Sequence, residues 1–114
     1  MKLSEMAKRL RLRNLTPDIP GEGDAVAVYG HSTDLFSDVL ANAPRGSVLV
    51  TLHVQMNVLA VAIPAEVMAV IFAWNRVPNE AVVKKAAEEG IWLYVADDST
   101  FNIVGQLYAL GLRG

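Results

Sequence analysis

Gly30-His31-Ser32-Thr33, His53, Asn75-Arg76 and Asp97-Asp98-Ser99-Thr100 are the residues of this 114-residue chain whose types and spacing could do chemistry. A Gly-His-Ser-Thr run ahead of a helical segment could hold an anion, because free backbone N–H groups and two hydroxyls would face it at the positive end of the helix. A glycine turn followed by a helix N-cap accounts for the same four residues without any ligand. His31 and His53 with Asp97 or Asp98 could hold a metal, but no paired histidine spacing supports it, and lone histidines at strand ends usually just hydrogen-bond. Asp97-Asp98 could act as an acid/base couple, yet adjacent carboxylates before Ser99-Thr100 are also what a helix start prefers. The expectation is therefore no catalytic residue, no metal and no cofactor. The candidate ligand-binding set is Gly30, His31, Ser32, Thr33, His53, Asn75, Arg76, Asp98, Ser99 and Thr100.

Several enzyme signatures are missing. No glycine precedes a lysine, so there is no P-loop; Gly21-x-Gly23 leads into a strand and has Val26 where a dinucleotide fingerprint needs a third glycine. No G-x-S-x-G elbow occurs. With no cysteine, a disulfide framework, a thiolate zinc site and a cysteine nucleophile are excluded, and a reducing, cytoplasmic setting is the expectation. The net charge of −2 offers no broad footprint for nucleic acid. Five of the ten basic residues, Lys2, Lys8, Arg9, Arg11 and Arg13, fall in the first thirteen positions. They read as the solvated face of an amphipathic first helix, with a basic arm for an acidic partner as the sharper alternative. Charge on both sides of each short apolar pair excludes a signal peptide at Met1–Leu10. The greasy runs Val58–Ile63 and Val67–Trp74, split by Pro64 and Glu66, are too short to span a bilayer.

The elements that must position these residues follow from periodicity. Leu3, Met6, Ala7 and Leu10 cover one face of a first helix over about residues 4–11, with Ser4 as its N-cap. Leu12–Leu15 reads as a short strand, followed by a loop through Pro17, Pro20 and Gly21-Glu22-Gly23. Asp24–Tyr29 reads as a strand feeding a turn at Gly30. Ser32 or Thr33 then caps a helix with an apolar stripe of Leu35, Phe36, Val39 and Leu40. Ser47–Leu52, Val67–Ala73 and Ile91–Val95 are apolar at nearly every position, as strands covered on both faces are. Met56–Ile63 fits either strand or buried helix. Val77-Pro78-Asn79-Glu80 starts a helix that Gly90 stops, with Val82, Val83, Ala86 and Ala87 inward. Asp98 or Ser99 caps the last helix, with Phe101, Val104, Leu107 and Tyr108 on its buried side. Alternating strands and helices with doubly buried strands define a single α/β domain, residues 1–114, as a three-layer α/β/α sandwich on a mostly parallel sheet. In such sheets ligands collect outside the carboxyl ends of the strands, which is where the candidate residues fall.

From Gly30 onward the order of segments resembles the DRTGG domain family. Tyr29-Gly30-His31-Ser32-Thr33-Asp34-Leu35-Phe36-Ser37-Asp38-Val39-Leu40-Ala41-Asn42-Ala43 is similar to the G-x-x-S-D-L-L-S-D-V-M-A-N-A segment of its small stand-alone members. Arg76-Val77-Pro78-Asn79-Glu80, Glu88-Glu89-Gly90-Ile91 and Ser99-Thr100-Phe101 match further family landmarks. The naming motif itself is missing: Ala25, not arginine, follows Asp24, Tyr29-Gly30 stands where members carry Gly-Gly, and Trp92 replaces a proline-containing segment. The resemblance implies a three-layer α/β/α domain like the N-terminal domain of the HPr serine kinase/phosphorylase and like regulatory insertions in larger enzymes. It also implies that Met56–Ile63 is helical. A non-catalytic regulatory or interaction module is thus expected, self-associating as a homodimer or meeting another protein, because 53% apolar residues is much for a small monomer to hide. The alternative is a sensor of a small anion or nucleotide at the carboxyl edge of the sheet. Neither a membrane nor nucleic acid is expected as partner.

Overall fold

β-branched and aliphatic runs form the middle of one five-stranded sheet in the computed structural model, which describes residues 1–114. In chain order the elements are α1 (Leu3–Arg9), β1 (Arg13–Asn14), β2 (Gly30–Ser32), α2 (Phe36–Asn42), β3 (Val48–Thr51), α3 (Asn57–Ala62), β4 (Ala69–Phe72), α4 (Glu80–Glu89), β5 (Trp92–Val95) and α5 (Thr100–Ala109). The strands lie in the order β1-β5-β4-β3-β2. β2 to β5 run parallel and only β1 pairs antiparallel, on β5.

Side chains alternate across the sheet and so divide the core in two. Leu49, Val70, Phe72, Leu93 and Val95 point to α2, α3 and α4, meeting Val39, Val58, Leu59, Val82 and Ala86. Val48, Val50, Ala69, Ile71 and Tyr94 point the other way, to Leu3 and Met6 of α1 and Ile103 and Leu107 of α5. Every residue of β3 and β4 is buried. The result is a three-layer α/β/α sandwich with a mostly parallel sheet. No helix is long and apolar enough to cross a membrane.

Local chemistry sets most boundaries. Asn79 caps α4, its side chain accepting from the Val82 amide at 3.1 Å, and Gly90 ends it in the left-handed conformation (φ 72°). Ser99 caps α5 in the same way, accepting from the Asn102 amide at 3.1 Å. Met56–Ile63 contains α3, so the apolar run is a buried helix and not a strand.

Several expectations are corrected. Ser4 does not cap α1: the helix starts one residue earlier, and the Leu3 and Ser4 amides donate to the carbonyls of Ala25 (2.9 Å) and Glu22 (3.3 Å). Asp24–Tyr29 is not a sheet strand, because residues 25–27 pair instead with the N-terminus, including Ala27 N to Met1 O at 2.7 Å. After β1 the chain returns to the sheet only at Gly30. Neither Ser32 nor Thr33 is the N-cap of α2, which starts at Phe36; the Thr33 hydroxyl accepts from the Leu35 amide at 3.0 Å just ahead of it, and Leu35 and Leu40 are exposed. Finally, of the face drawn on α5 only Leu107 is buried, joined by Ile103, while Phe101, Val104 and Tyr108 are exposed. Ala87 of α4 is exposed as well.

The loop between β1 and β2 is held to the sheet by a polar clip. The Tyr94 hydroxyl donates to Glu22 Oε2 at 2.6 Å, and Asn14 Nδ2 donates to the same oxygen at 2.8 Å. The Leu93 amide donates to Thr16 Oγ1 at 3.1 Å. Burial and the Glu22 acceptor push the Tyr94 phenol far above its ordinary range, so it stays a donor. Tyr94→Phe removes one of the two donors and leaves the carboxylate to Asn14 alone; unfolding in urea should show a loss of about 1–2 kcal/mol.

Candidate functional site

The polar residues of the carboxyl edge are placed by the loops after β2, β3, β4 and β5, and most of them close those loops. Asp34, two residues beyond β2, accepts from the Thr51 hydroxyl at 2.8 Å and the Leu52 amide at 2.9 Å, tying the end of β2 to the end of β3. His53 folds back on the same segment, its Nε2 2.9 Å from the Asp34 carbonyl and its ring 4.7 Å from the Phe36 ring centroid. Burial raises the Asp34 carboxyl, but the Leu52 amide and Thr51 hydroxyl, with His53 and Arg76 close by, outweigh it and hold the group below its ordinary range. Asp98 is engaged likewise: Oδ1 accepts from the Asn102 side chain (2.9 Å) and the Ser99 amide (2.7 Å), and Oδ2 from Gln106 (3.3 Å). Those bonds, the Asn102 one foremost, hold the Asp98 carboxyl down.

Gly30-His31-Ser32-Thr33 do not form a loop into a helix N-terminus, since the first three residues are β2 itself. The alternation of the strand splits them. His31 turns toward α2, with Nε2 2.9 Å from Asp38 Oδ2, while Asn42 holds the other Asp38 oxygen at 2.7 Å. Ser32 registers with Val50 and faces the α5 side, its hydroxyl donating to the Val50 carbonyl at 3.2 Å. No three His, Asp or Glu side chains cluster as a metal would need.

The side chains of Asn75 and Arg76 take no part in these hydrogen bonds, although the Arg76 charge reaches Asp34. Trp74 and Asn75 both adopt left-handed backbone (φ 54° and 53°), and their amides donate to the Asp98 and Ala96 carbonyls at 2.8 Å. That turn presents an exposed indole beside Asn75 and Arg76, and Arg76 makes no ion pair.

A concave surface lies elsewhere, on the α5 side of the open edge of β2. One hollow of about 210 Å³ is lined by Gly30, His31, Ser32 and Val50 of the sheet, Val104, Leu107 and Tyr108 of α5, and Leu112–Gly114. A shallower one of about 610 Å³ continues it past Ser32, Thr100, Phe101, Val104, Gly105 and Tyr108. The C-terminus forms part of the wall: the Gly30 amide donates to the Arg113 carbonyl at 2.9 Å, and the Arg113 guanidinium lies 3.7 Å from the Tyr108 ring centroid. Of the candidate residues, Gly30, Ser32 and Thr100 line these hollows, and His31 touches the first from its place in β2 while its ring turns to Asp38. Thr33, His53, Asp98 and Ser99 are engaged in the loops, and Asn75 and Arg76 sit on the Trp74 turn. Sequence reasoning missed Val104, Tyr108 and Arg113, although one signal was present: no charged residue occurs between Asp98 and Arg113.

An α/β/α domain with its polar edge tied up internally and an open apolar groove is the class of structure that results. The fold is DRTGG-like: it matches the crystal structure of the CBS and DRTGG domains of the regulatory region of Clostridium perfringens pyrophosphatase, complexed with the activator diadenosine tetraphosphate, with a TM-score of 0.72 at 11% sequence identity. The match covers 97% of this chain and 47% of that one, so the chain spans just under half the length of its structural neighbour. No family model matches the chain, and no curated protein matches it in sequence.

The loop closure at Asp34 has a testable sign. Its folded-state pKa is lowered, so its contribution is complete above the unfolded carboxylate value of about 3.9 and is lost as pH falls through the folded one. Asp34→Asn should flatten the acid limb of the stability profile below about pH 4, measured by thermal unfolding across pH, and lower Tm by several degrees at neutral pH.

Proposed function

We propose that this chain is a non-catalytic regulatory or interaction module of the DRTGG type that works as a self-associating accessory subunit. The single observation behind this reading is that the protein of matching fold is a regulatory region. The chemistry at the sheet edge agrees with it: His31, His53, Asp34 and Asp98 are each bonded within the chain, and the one hydroxyl among their side-chain partners, that of Thr51, is buried. Self-association is supported by the exposed large apolar side chains, among them Phe101, Tyr108, Leu35, Leu40 and Trp74, more than a small monomer usually leaves in water. Sedimentation velocity at micromolar concentration should show a dimer. A monomer at every concentration tested would overturn the self-association.

A second reading, a sensor of an anion or nucleotide at the carboxyl edge, is favoured by the Trp74-Asn75-Arg76 turn. An exposed indole can stack on a base, and an unpaired guanidinium two residues on can meet phosphate. The structural neighbour carries a dinucleotide polyphosphate activator. If this chain binds such a ligand, a nucleotide at about 100 times its dissociation constant should stabilise it by roughly 2.7 kcal/mol in a thermal-shift assay. Arg76→Ala should abolish that shift, and no shift with any nucleotide or phosphorylated metabolite would reject the reading.

A further inference from the structure

Helix α5 exposes an unusual face for a solvated helix. Phe101 is 86% exposed, Tyr108 59% and Val104 38%. With Gly105 they occupy positions i, i+3, i+4 and i+7, one continuous stripe opposite the buried Ile103 and Leu107. Fourteen residues, Ser99 to Leu112, carry no charge. Solvent meets a different surface on α4, whose exposed positions include Glu80, Lys84, Glu88 and Glu89. Depletion of charge with enrichment of aromatic residues is the composition of an interface core.

We infer that this stripe is the surface through which two copies of the chain associate, with the α5 helices packed antiparallel and crossing at Val104 and Gly105. The inference rests on the self-association proposed above and names its surface. The stripe is complementary to itself. Large rings stand at both ends, two helical turns or about 10.5 Å apart, with Gly105 between them. A two-fold axis at the centre therefore brings Phe101 against Tyr108 of the partner subunit, and Tyr108 against the partner's Phe101. The added Cβ of a larger residue at Gly105 would meet nothing within the chain, so the space over it is open to a second helix.

Charge is arranged to match. Asp97 is exposed at the N-terminal end of the stripe and Arg113 at the C-terminal end, where Nη1 donates to the Tyr108 and Leu112 carbonyls and the remaining guanidinium donors are free. The antiparallel arrangement sets Arg113 near Asp97 of the partner subunit; a parallel one would set like charges together. The two rings alone present on the order of 300 Å² of apolar surface. A standard interface covers about 800 Å² per partner, and the adjoining groove, with Tyr29 and the C-terminal segment, extends the face toward that size.

The chain has no native cysteine, which makes cross-linking clean. Gly105→Cys should form a covalent dimer on mild oxidation, because residues beside a two-fold axis come within disulfide reach, whereas Ala81→Cys on α4 should not. Phe101→Glu should sediment as a monomer with an unchanged circular dichroism spectrum, since the ring makes no part of the core, while Leu40→Glu on the exposed side of α2 should remain a dimer. A wild-type dimer that persists in Phe101→Glu, or a Gly105→Cys chain that cross-links no faster than Ala81→Cys, overturns the α5 surface and leaves self-association standing through another face. A wild-type monomer overturns both.

Discussion

Double-sided burial of β3 and β4 is the constraint on which the remaining structure depends. Val48–Thr51 and Ala69–Phe72 have essentially no contact with solvent. A parallel sheet with apolar residues on both faces is stable only when helices cover both. The three crossovers between β2 and β5 supply α2, α3 and α4 on one face, so the other has to be covered by what precedes and follows the crossovers, namely α1 and α5. The short α1 reaches Leu3 and Met6 into that layer, and α5 contributes Ile103 and Leu107. Coverage near β2 is completed only by Leu112 at the C-terminal end of the chain. The groove beside β2 is what two helices leave when they cover a face that three cover opposite.

The same economy explains why the polar edge is so fully occupied. Parallel strands end in loops whose backbone groups must find partners, and here Asp34, Thr51, His53 and Asp98 provide them. A carboxylate that accepts two or three bonds from its own chain is a structural brace, and its lowered pKa reports those bonds. Residue types suited to acid/base or metal chemistry therefore serve to lock β2 to β3 and α5 to β5. Because the strand order from β2 to β5 follows the chain without reversal, the edge also lacks the crevice that a switch in strand order creates in doubly wound sheets.

Matching folds at 11% identity are understandable in these terms. What the architecture needs is a pattern: three apolar strands, helices with one apolar face, and stops such as Gly90 at their ends. Many sequences supply it. The resemblance read from Ser99-Thr100-Phe101 and Arg76-Val77-Pro78-Asn79-Glu80 falls on the caps and turns of α5 and α4, where local geometry restricts the choice of residue more tightly than the core does.

The sequence by itself determined the elements whose signals are local. β3, β4 and β5 follow from runs of apolar residues, and α4 from Asn79 at one end and Gly90 at the other, since caps and left-handed glycines act through neighbours a few residues away. Tertiary structure alone decided the elements whose partners are distant. Residues 25–27 are as apolar as a strand, yet they pair with the first residues of the chain, and the sheet takes Gly30–Ser32 instead. Helix α5 is apolar nearly all round, with Phe101, Ile103, Val104, Leu107 and Tyr108, so periodicity could not choose its inward face. Packing against Val50, Ile71 and Tyr94 made that choice, burying Ile103 and Leu107 and turning the aromatic rings outward.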